Sequence, residues 1–553
     1  PKRIVRIFFY QGLSIGIIGI TIGTISSDGS NGTSLIIDFN SNATIAAVEA
    51  VSENLTYANT SSDPVETREL QIQISDGDGG SSEPLVVTVN ISAEVDGASS
   101  VFGERQVNSF TAGSQEVPAI AELSDGGYVI VWESEGQDGS STGVYGQRYT
   151  TDGVITGPEF QVNATALNTQ SEPSVTGLSG GGFVVTWSDS NGTDGSGTGV
   201  IAQLYDTGGD KIGGEFIVNS TISSTQSQSS VASLADGGFI VAWSDSSGQD
   251  GSGVGISAQR FDASGTQVGT EFVVNTQFSS TQSTPSATGL SGGGFVVTWI
   301  DFGGHDGASW GVFGQAYDAS GVTVGNEFQV STNVVGEQYN PSVASLADGG
   351  FVVAWRDNSG LDGSAEGVFA QRYDAIGTKV GEEFRANENT SSSQFDPSII
   401  GLSGGGFVIT WQDNSGRDGS GTGVFGQQYD AAGNRIDGEF QVNTEFSSTQ
   451  DQPVIAALPG DNFVVAWRSW TSSTAGDGDS YGVFQQIFGD VADFTAQASP
   501  VLEGVDSVVT YAENLLNSSP QLLDANGSVA LSDADSADFD GGSLLVSRLS
   551  NSS

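Results

Sequence analysis

From residue 115 to residue 488 the apolar positions fall in short runs, and the runs come in a fixed order. In the stretch 170–219, PSVTGL at 173–178 alternates apolar and polar residues. FVVTW at 183–187 is continuously β-branched or aromatic, VIAQLY follows at 200–205, and KIGGEFIVN closes at 211–219. Between them lie SGGG, the polar loop SDSNGTDGSGTG and the turn DTGG. Alternation bounded by Gly and Asp turns predicts four strands and no helix. The order then repeats. Trp132, Trp187, Trp243, Trp299, Trp355, Trp411 and Trp467 are spaced by 55 residues once and 56 five times, each closing a run such as GGFIVAW. A four-stranded unit of this size, written seven times, predicts an all-β fold: a seven-bladed β-propeller.

The ends of the array carry an offset. FGERQVNS at 102–109 matches the fourth strand of the unit, whereas the last unit has three strands, at 453–458, 463–467 and 482–488. An N-terminal fourth strand is therefore expected to complete the last blade. A straight solenoid would need no such offset. The expected organisation is a flanking module over 1–97, a linker over 98–101, the propeller over 102–490 and a second partial module over 491–553.

The flanks have another pattern. LIIDF at 35–39, RELQIQI at 68–74 and LVVTVNIS at 85–92 read as strands. A helix is expected between the first two, capped at Ser41 or Asn42 and carrying Ile45, Val48, Val51 and Leu55. The apolar stretch after Lys2, Arg3 and Arg6 superficially resembles a signal peptide, but Ile18, Ile20 and Ile22 alternate with Gly19, Thr21 and Gly23, a strand period. Its glycines and Gln11 argue against membrane insertion.

Composition changes the functional picture. The 553 residues carry a formal charge of −50 and only 16 Lys and Arg. Such a surface repels nucleic acid and anionic membranes and attracts cations. There is no cysteine, so neither a disulfide nor thiol chemistry is available.

Two motifs bring in a resemblance. LTYANTSSDP with SDGDGGSS and VTVNISAEVDG looks like the closing half of cadherin-like modules in giant secreted bacterial proteins, RTX-type adhesins among them. VTYAEN with LSDADSADFDGGSL looks like the opening half, and the propeller unit resembles repeats of the same proteins. The resemblance implies partial cadherin-like β-sandwich modules beside the propeller, an extracellular or cell-surface bacterial setting, and calcium. Its calcium set falls on Glu513, Asp533 and Asp535. Asp76 and Asp78, and Glu94 with Asp96, are weaker matches. The two half-modules imply either an excerpt of a longer tandem chain or head-to-tail copies.

Within the propeller, the loop after each Trp places two aspartates five residues apart around glycine. The pairs are Asp189/Asp194, Asp245/Asp250, Asp301/Asp306, Asp357/Asp362 and Asp413/Asp418, with Asp477 and Asp479 in the last blade. Hard cations such as calcium take oxygen ligands gathered in this way. The same residues also make Asp turns that bond their own backbone, and both readings stand. Glutamines recur before each first strand (115, 170, 226, 282, 338, 394, 450) and in each third strand (147, 203, 259, 315, 371, 427, 486), as structural hydrogen-bonding groups. Trp310 and Trp470 break the repeat and are candidates for stacking on surface glycans. Asn54, Asn163 and Asn219 lie in Asn-x-Ser/Thr sequons.

A catalytic site should break sevenfold symmetry with a converging acid, base or nucleophile. His305 is the single histidine, and no such constellation is apparent. The Asp-box of sialidase-like propellers has Trp after its Gly, whereas here Trp precedes the Asp. The sequence therefore points to a non-enzymatic structural or adhesive segment of a large bacterial surface protein or filament, stiffened by calcium. A carbohydrate-binding propeller and a glycan-active enzyme are the alternatives.

Overall fold

The computed structural model describes residues 14–17, 20–28, 35–40, 43, 56–57, 67–75, 85–92, 100–101, 103–251, 253–307, 309–363, 366–419, 421–444, 449–471, 480–489, 508–512, 521–522 and 543–548. The helix expected after residue 41 lies outside them, as do Glu513, Asp533, Asp535, Asp76, Asp78, Glu94, Asp96, Asp477 and Asp479. The chain divides into two compact units, Asp96–Gly489 and the terminal segments Pro1–Val95 with Asp490–Ser553.

The first unit is a seven-bladed propeller. Six sheets run in simple antiparallel order through four consecutive strands, as in Gln170–Gly177, Phe183–Asp189, Gly199–Tyr205 and Lys211–Ile217. The seventh takes its outer strand from Arg105–Gln106, which pairs with Ser480–Phe488. Val107 N–H extends that closure to the Val483 carbonyl at 2.8 Å. The first strands of successive blades pack against one another around the axis.

The second strands are apolar on both faces because each blade is sandwiched between two others. Phe183–Asp189 is buried along its whole length, as is Phe239–Asp245. Leu178, Val184, Val200 and Ala202 of one blade meet Val231, Phe239, Val241 and Trp243 of the next in one cluster. All seven repeated tryptophans are 0% exposed. Their indole N–H groups meet no hydrogen-bond acceptor, so the rings act as apolar wedges. Behind them the second-strand Phe stacks on the third-strand aromatic, as Phe183 does on Tyr205 at 4.4 Å.

The repeated polar residues tie this frame. Asn219 ends the second blade; its Oδ1 accepts Val200 N–H at 2.9 Å, and its Nδ2 donates to Gln226 of the third blade at 3.3 Å. The same bond joins Asn163 to Gln170 at 3.0 Å and Asn387 to Gln394 at 2.9 Å. The third-strand glutamine works inside its own blade. Gln203 Nε2 donates to the Leu204 and Ile212 carbonyls, bridging the bulge before the fourth strand. Asn163 and Asn219 are buried, which removes both as accessible glycan acceptors.

In the second unit, strands Ile20–Asp28, Leu35–Phe39, Thr67–Ser75 and Leu85–Ser92 form one sheet with two strands from the other end of the chain. Ser543–Arg548 lies antiparallel between Leu35–Phe39 and Thr67–Ser75, and Val508–Ala512 runs parallel to Leu85–Ser92. Both halves of the flanking sequence thus pair within one chain. A cadherin-like topology is not shown.

Candidate active site on the propeller axis

The loop aspartates are buried pegs. All ten members of the five complete pairs are buried. Asp189 accepts Asn191 N–H at 2.7 Å and Thr193 Oγ1–H at 3.1 Å. Asp194 accepts Ser196 N–H at 3.1 Å and Asn219 Nδ2–H at 3.0 Å. Asp245, Asp301, Asp357 and Asp413 each accept the N–H two residues on, at 2.7–2.8 Å. Asp250 and Asp418 accept from Asn275 and Asn443, and Asp306 and Asp362 hold the matching places in their loops. Among the described residues no three His, Cys, Asp or Glu side chains converge as a metal site.

Symmetry breaks on the axis, at two positions the repeat leaves variable. Each first strand carries a bulge two residues after its glutamine, where the register shifts, as between Ser171 and Ser174. The bulged residues are Val117, Glu172, Gln228, Thr284, Asn340, Asp396 and Gln452, all at φ of 50–56°. A non-glycine residue there is strained by ~1–2 kcal/mol, and seven in a ring are held only because the surrounding sheets impose the shape. Their backbones alike, their side chains differ. The second variable position follows each Trp: Glu133, Ser188, Ser244, Ile300, Arg356, Gln412 and Arg468.

These residues form a circumferential relay at the end of the axis beside the Asp loops. Glu133 Oε1 accepts Glu172 N–H from the next blade at 2.7 Å. Glu172 Oε2 accepts Ser188 Oγ–H at 2.8 Å and Gln228 N–H at 2.9 Å. Ser244 Oγ donates to Gln228 at 3.0 Å and accepts Thr284 N–H at 3.2 Å. Across the ring, Asn340 Nδ2 donates to Asp396 at 2.6 Å. Arg468 closes the circle between last blade and first. It donates to both oxygens of Asp451 and to Glu116, each at 2.7 Å.

The electrostatics are as uneven as the composition. Burial pushes the Glu133 carboxyl up to about 7, and the neighbouring Glu172 and Glu116 charges add to that; only the N–H of Glu172 opposes it. Asp396 is also raised by burial, against the pull of Asn340 and Arg356. Both arginines of the ring are already neutralised. Arg468 bridges two carboxylates, and Arg356 pairs with Glu366 while lying 4.5 Å above the Tyr339 ring and 4.6 Å above Phe395.

The two candidate tryptophans flank this ring on aromatic clusters. Trp310 packs edge-on against Phe302 at 4.6 Å and Tyr339 at 5.8 Å. Trp470 is 37% exposed and meets Tyr481 at 4.9 Å, with Arg468 4.0 Å above the Tyr481 ring. At the opposite end the axis opens into a cavity of 640 Å³ walled by strand ends such as Ile120, Val175, Val231 and Val343, and Glu122 is its single ionisable lining residue. The uneven ring of polar and charged side chains is at the loop end.

No protein-family profile and no curated protein sequence matches the chain significantly. Solved structures do match. A protein of unknown function from Dyadobacter fermentans is 10% identical, with 71% of this chain and 99% of that one covered and a TM-score of 0.44. A polysaccharide lyase is 10% identical over 79% of this chain and 100% of its own, with a TM-score of 0.43. An α-L-arabinanase from Penicillium chrysogenum, complexed with arabinobiose, is 14% identical over 57% and 92%, with a TM-score of 0.40. The sequence reading of a structural, adhesive and non-enzymatic segment is corrected at this point. Two of these structures carry the names of glycan-active enzymes, the alternative the sequence left open; at 10–14% identity the likeness is one of fold, and the axial ring carries an acid, Glu133, at a position where the other blades carry none. The change of side-chain type around the ring, five types after the Trp and six at the bulge, hides at two positions close to residues that recur in every blade.

Proposed function

We propose that the propeller is a glycan-active enzyme that cleaves an uncharged polysaccharide at the loop end of its axis. The observation that carries this reading is Glu133, a carboxyl raised to about 7 on a ring where sister blades place Ser, Ile, Gln or Arg. A carboxyl still protonated near neutrality is suited to general acid catalysis. Glu172, on the adjoining blade, is the second carboxyl that glycoside cleavage uses. In the step proposed, Glu133 gives its proton to the glycosidic oxygen as the bond to the anomeric carbon breaks. Glu172 takes a proton from the water that attacks that carbon. Arg356 and Arg468 are committed to carboxylates, so they offer no open cationic cluster for acidic sugars. Trp310 and Trp470 supply flat apolar faces on which neutral sugar rings stack. The test is release of reducing ends from a panel of neutral polysaccharides by the whole chain. Release that disappears in Glu133→Gln supports the reading; a panel without turnover sinks it.

For the flanking segments the motifs support a cadherin-like identity, with calcium at Glu513, Asp533 and Asp535, in a secreted bacterial protein. This is a proposal from their sequence alone. Calcium at clustered carboxylates would relieve their mutual repulsion.

A further inference from the structure

His305 lies in the loop after the second strand of blade four, four residues beyond Asp301. Sister loops carry Thr193, Gln249, Leu361 and Arg417 at this place. Thr193 donates to Asp189 and Arg417 pairs with Asp413 at 3.0 Å, whereas Gln249 donates to Glu271 and Leu361 has no donor. His305 follows the first two: Nδ1 lies 2.9 Å from both oxygens of Asp301. That contact does not call for a partner on the other ring nitrogen. Here Nε2 lies 2.9 Å from Ser279 Oγ, on the connection entering blade four.

The three groups are graded in exposure as acyl-transfer chemistry needs. The Asp301 side chain is 2% exposed and the His305 ring 20%, while Ser279 is open to solvent. Asp301 is held further by Gly303 N–H at 2.7 Å and Gln282 Nε2–H at 2.8 Å. With that carboxylate facing it, Nδ1 carries the proton and Nε2 is left to accept from the Ser279 hydroxyl. A buried carboxylate, an oriented imidazole and an accessible hydroxyl are recognised by geometry and role, whatever the fold. A cavity of 520 Å³ adjoins the imidazole, with Phe313 as its apolar wall, Gln277 and Gln315 as amides, and Glu327 among its lining residues. Glu327 and the net charge of the chain disfavour anionic substrates.

We propose that Ser279, His305 and Asp301 form a second site, separate from the axial ring, that hydrolyses small uncharged carboxylic esters. Ser279 Oγ bonds to the ester carbonyl carbon while its proton passes to His305 Nε2. The alcohol leaves with that proton as the ester C–O bond breaks. Water then gives a proton to Nε2 and attacks the acyl carbon, releasing the acid and restoring Ser279. Asp301 is a positioning residue.

The test is labelling of the full chain with a fluorophosphonate, mapped by peptide mass spectrometry, beside turnover of p-nitrophenyl acetate. Labelling is expected at Ser279 and at no other serine to a comparable extent. It should vanish in Ser279→Ala and fall by at least about 100-fold in His305→Gln, the scale of a lost general base. His305→Gln copies Gln249 of the sister blade, so an unchanged melting temperature separates lost chemistry from lost fold. Labelling of Ser279 no faster than of other exposed serines, or labelling indifferent to His305→Gln, overturns the proposal.

Discussion

Glu133 accepts the backbone N–H of Glu172 at 2.7 Å, across the boundary between the first and second blades. One carboxyl therefore both joins two blades and sits where burial raises it to about 7. The sign of the linkage follows. The folded protein holds a proton on Glu133 that the unfolded chain releases above the ordinary carboxylate value of 4.5. Stability from this group is present below that value and is lost as pH rises towards 7. Glu133→Gln keeps the acceptor and removes the charge. It should raise the melting temperature at alkaline pH, by the equivalent of up to about 3 kcal/mol, and change little in mild acid. Thermal melts of both proteins across pH check this; an equal shift at all pH values would contradict it.

Arg468 should be a hub of ring closure. Its guanidinium joins Asp451 of the last blade to Glu116 of the first. Arg468→Met leaves two carboxylates facing each other without their cation. A loss of about 2–4 kcal/mol is expected, since removing one partner of a largely buried pair leaves the other charge uncompensated. Adding Glu116→Gln should recover part of it. A denaturant-unfolding double-mutant cycle reads the coupling, and purely additive effects would argue against the hub.

The repeated tryptophans test the core. Trp243→Ala should cost about 3–5 kcal/mol, as other large aromatic truncations do. Trp243→Phe should cost distinctly less, because the indole N–H has no acceptor to lose. Denaturant melts of the two variants decide it; a Phe variant as unstable as the Ala variant would mean the indole nitrogen has a partner.

The frame was open to reading from sequence because it repeats. Seven Trp, seven leading Gln and seven FVVxW-like runs gave strand order, blade number and the offset at the closure. The same repetition obscured the site. Comparing units directs attention to what recurs, the Asp loops, whose carboxylates accept bonds from groups such as Asn191, Ser196 and Asn219. The groups proposed to carry the chemistry stand where the units disagree, one residue after each Trp and two after each Gln. Glu133, Glu172, Asp396 and Arg468 could have been found by asking which positions vary inside an otherwise fixed frame. The bulge that gathers them was not readable, since a left-handed Val117 or Thr284 runs against the preference of a β-branched residue. The Ser279 contact of His305 was equally hidden, because the two residues are 26 apart and meet only through blade packing.

Calcium should separate the two units. The propeller aspartates already have protein donors, while the acidic clusters at Glu513, Asp533 and Asp535 are proposed to require a cation. Melting with and without a chelator should move one transition and leave the propeller transition in place, because a ligand stabilises only the unit that binds it. A chelator that shifts the propeller transition would assign the metal to the Asp loops instead.

The most direct measurement is the pH–rate profile of polysaccharide cleavage by the intact chain, wild type beside Glu133→Gln. The account predicts turnover that falls as pH rises through about 7, where Glu133 loses its proton. Glu133→Gln should lose activity by about 100-fold or more below pH 7, with the gap to wild type closing as pH rises above it, while remaining folded. Cleavage that is indifferent to Glu133→Gln, or that persists unchanged well above pH 7, would contradict the assignment of Glu133 as the acid.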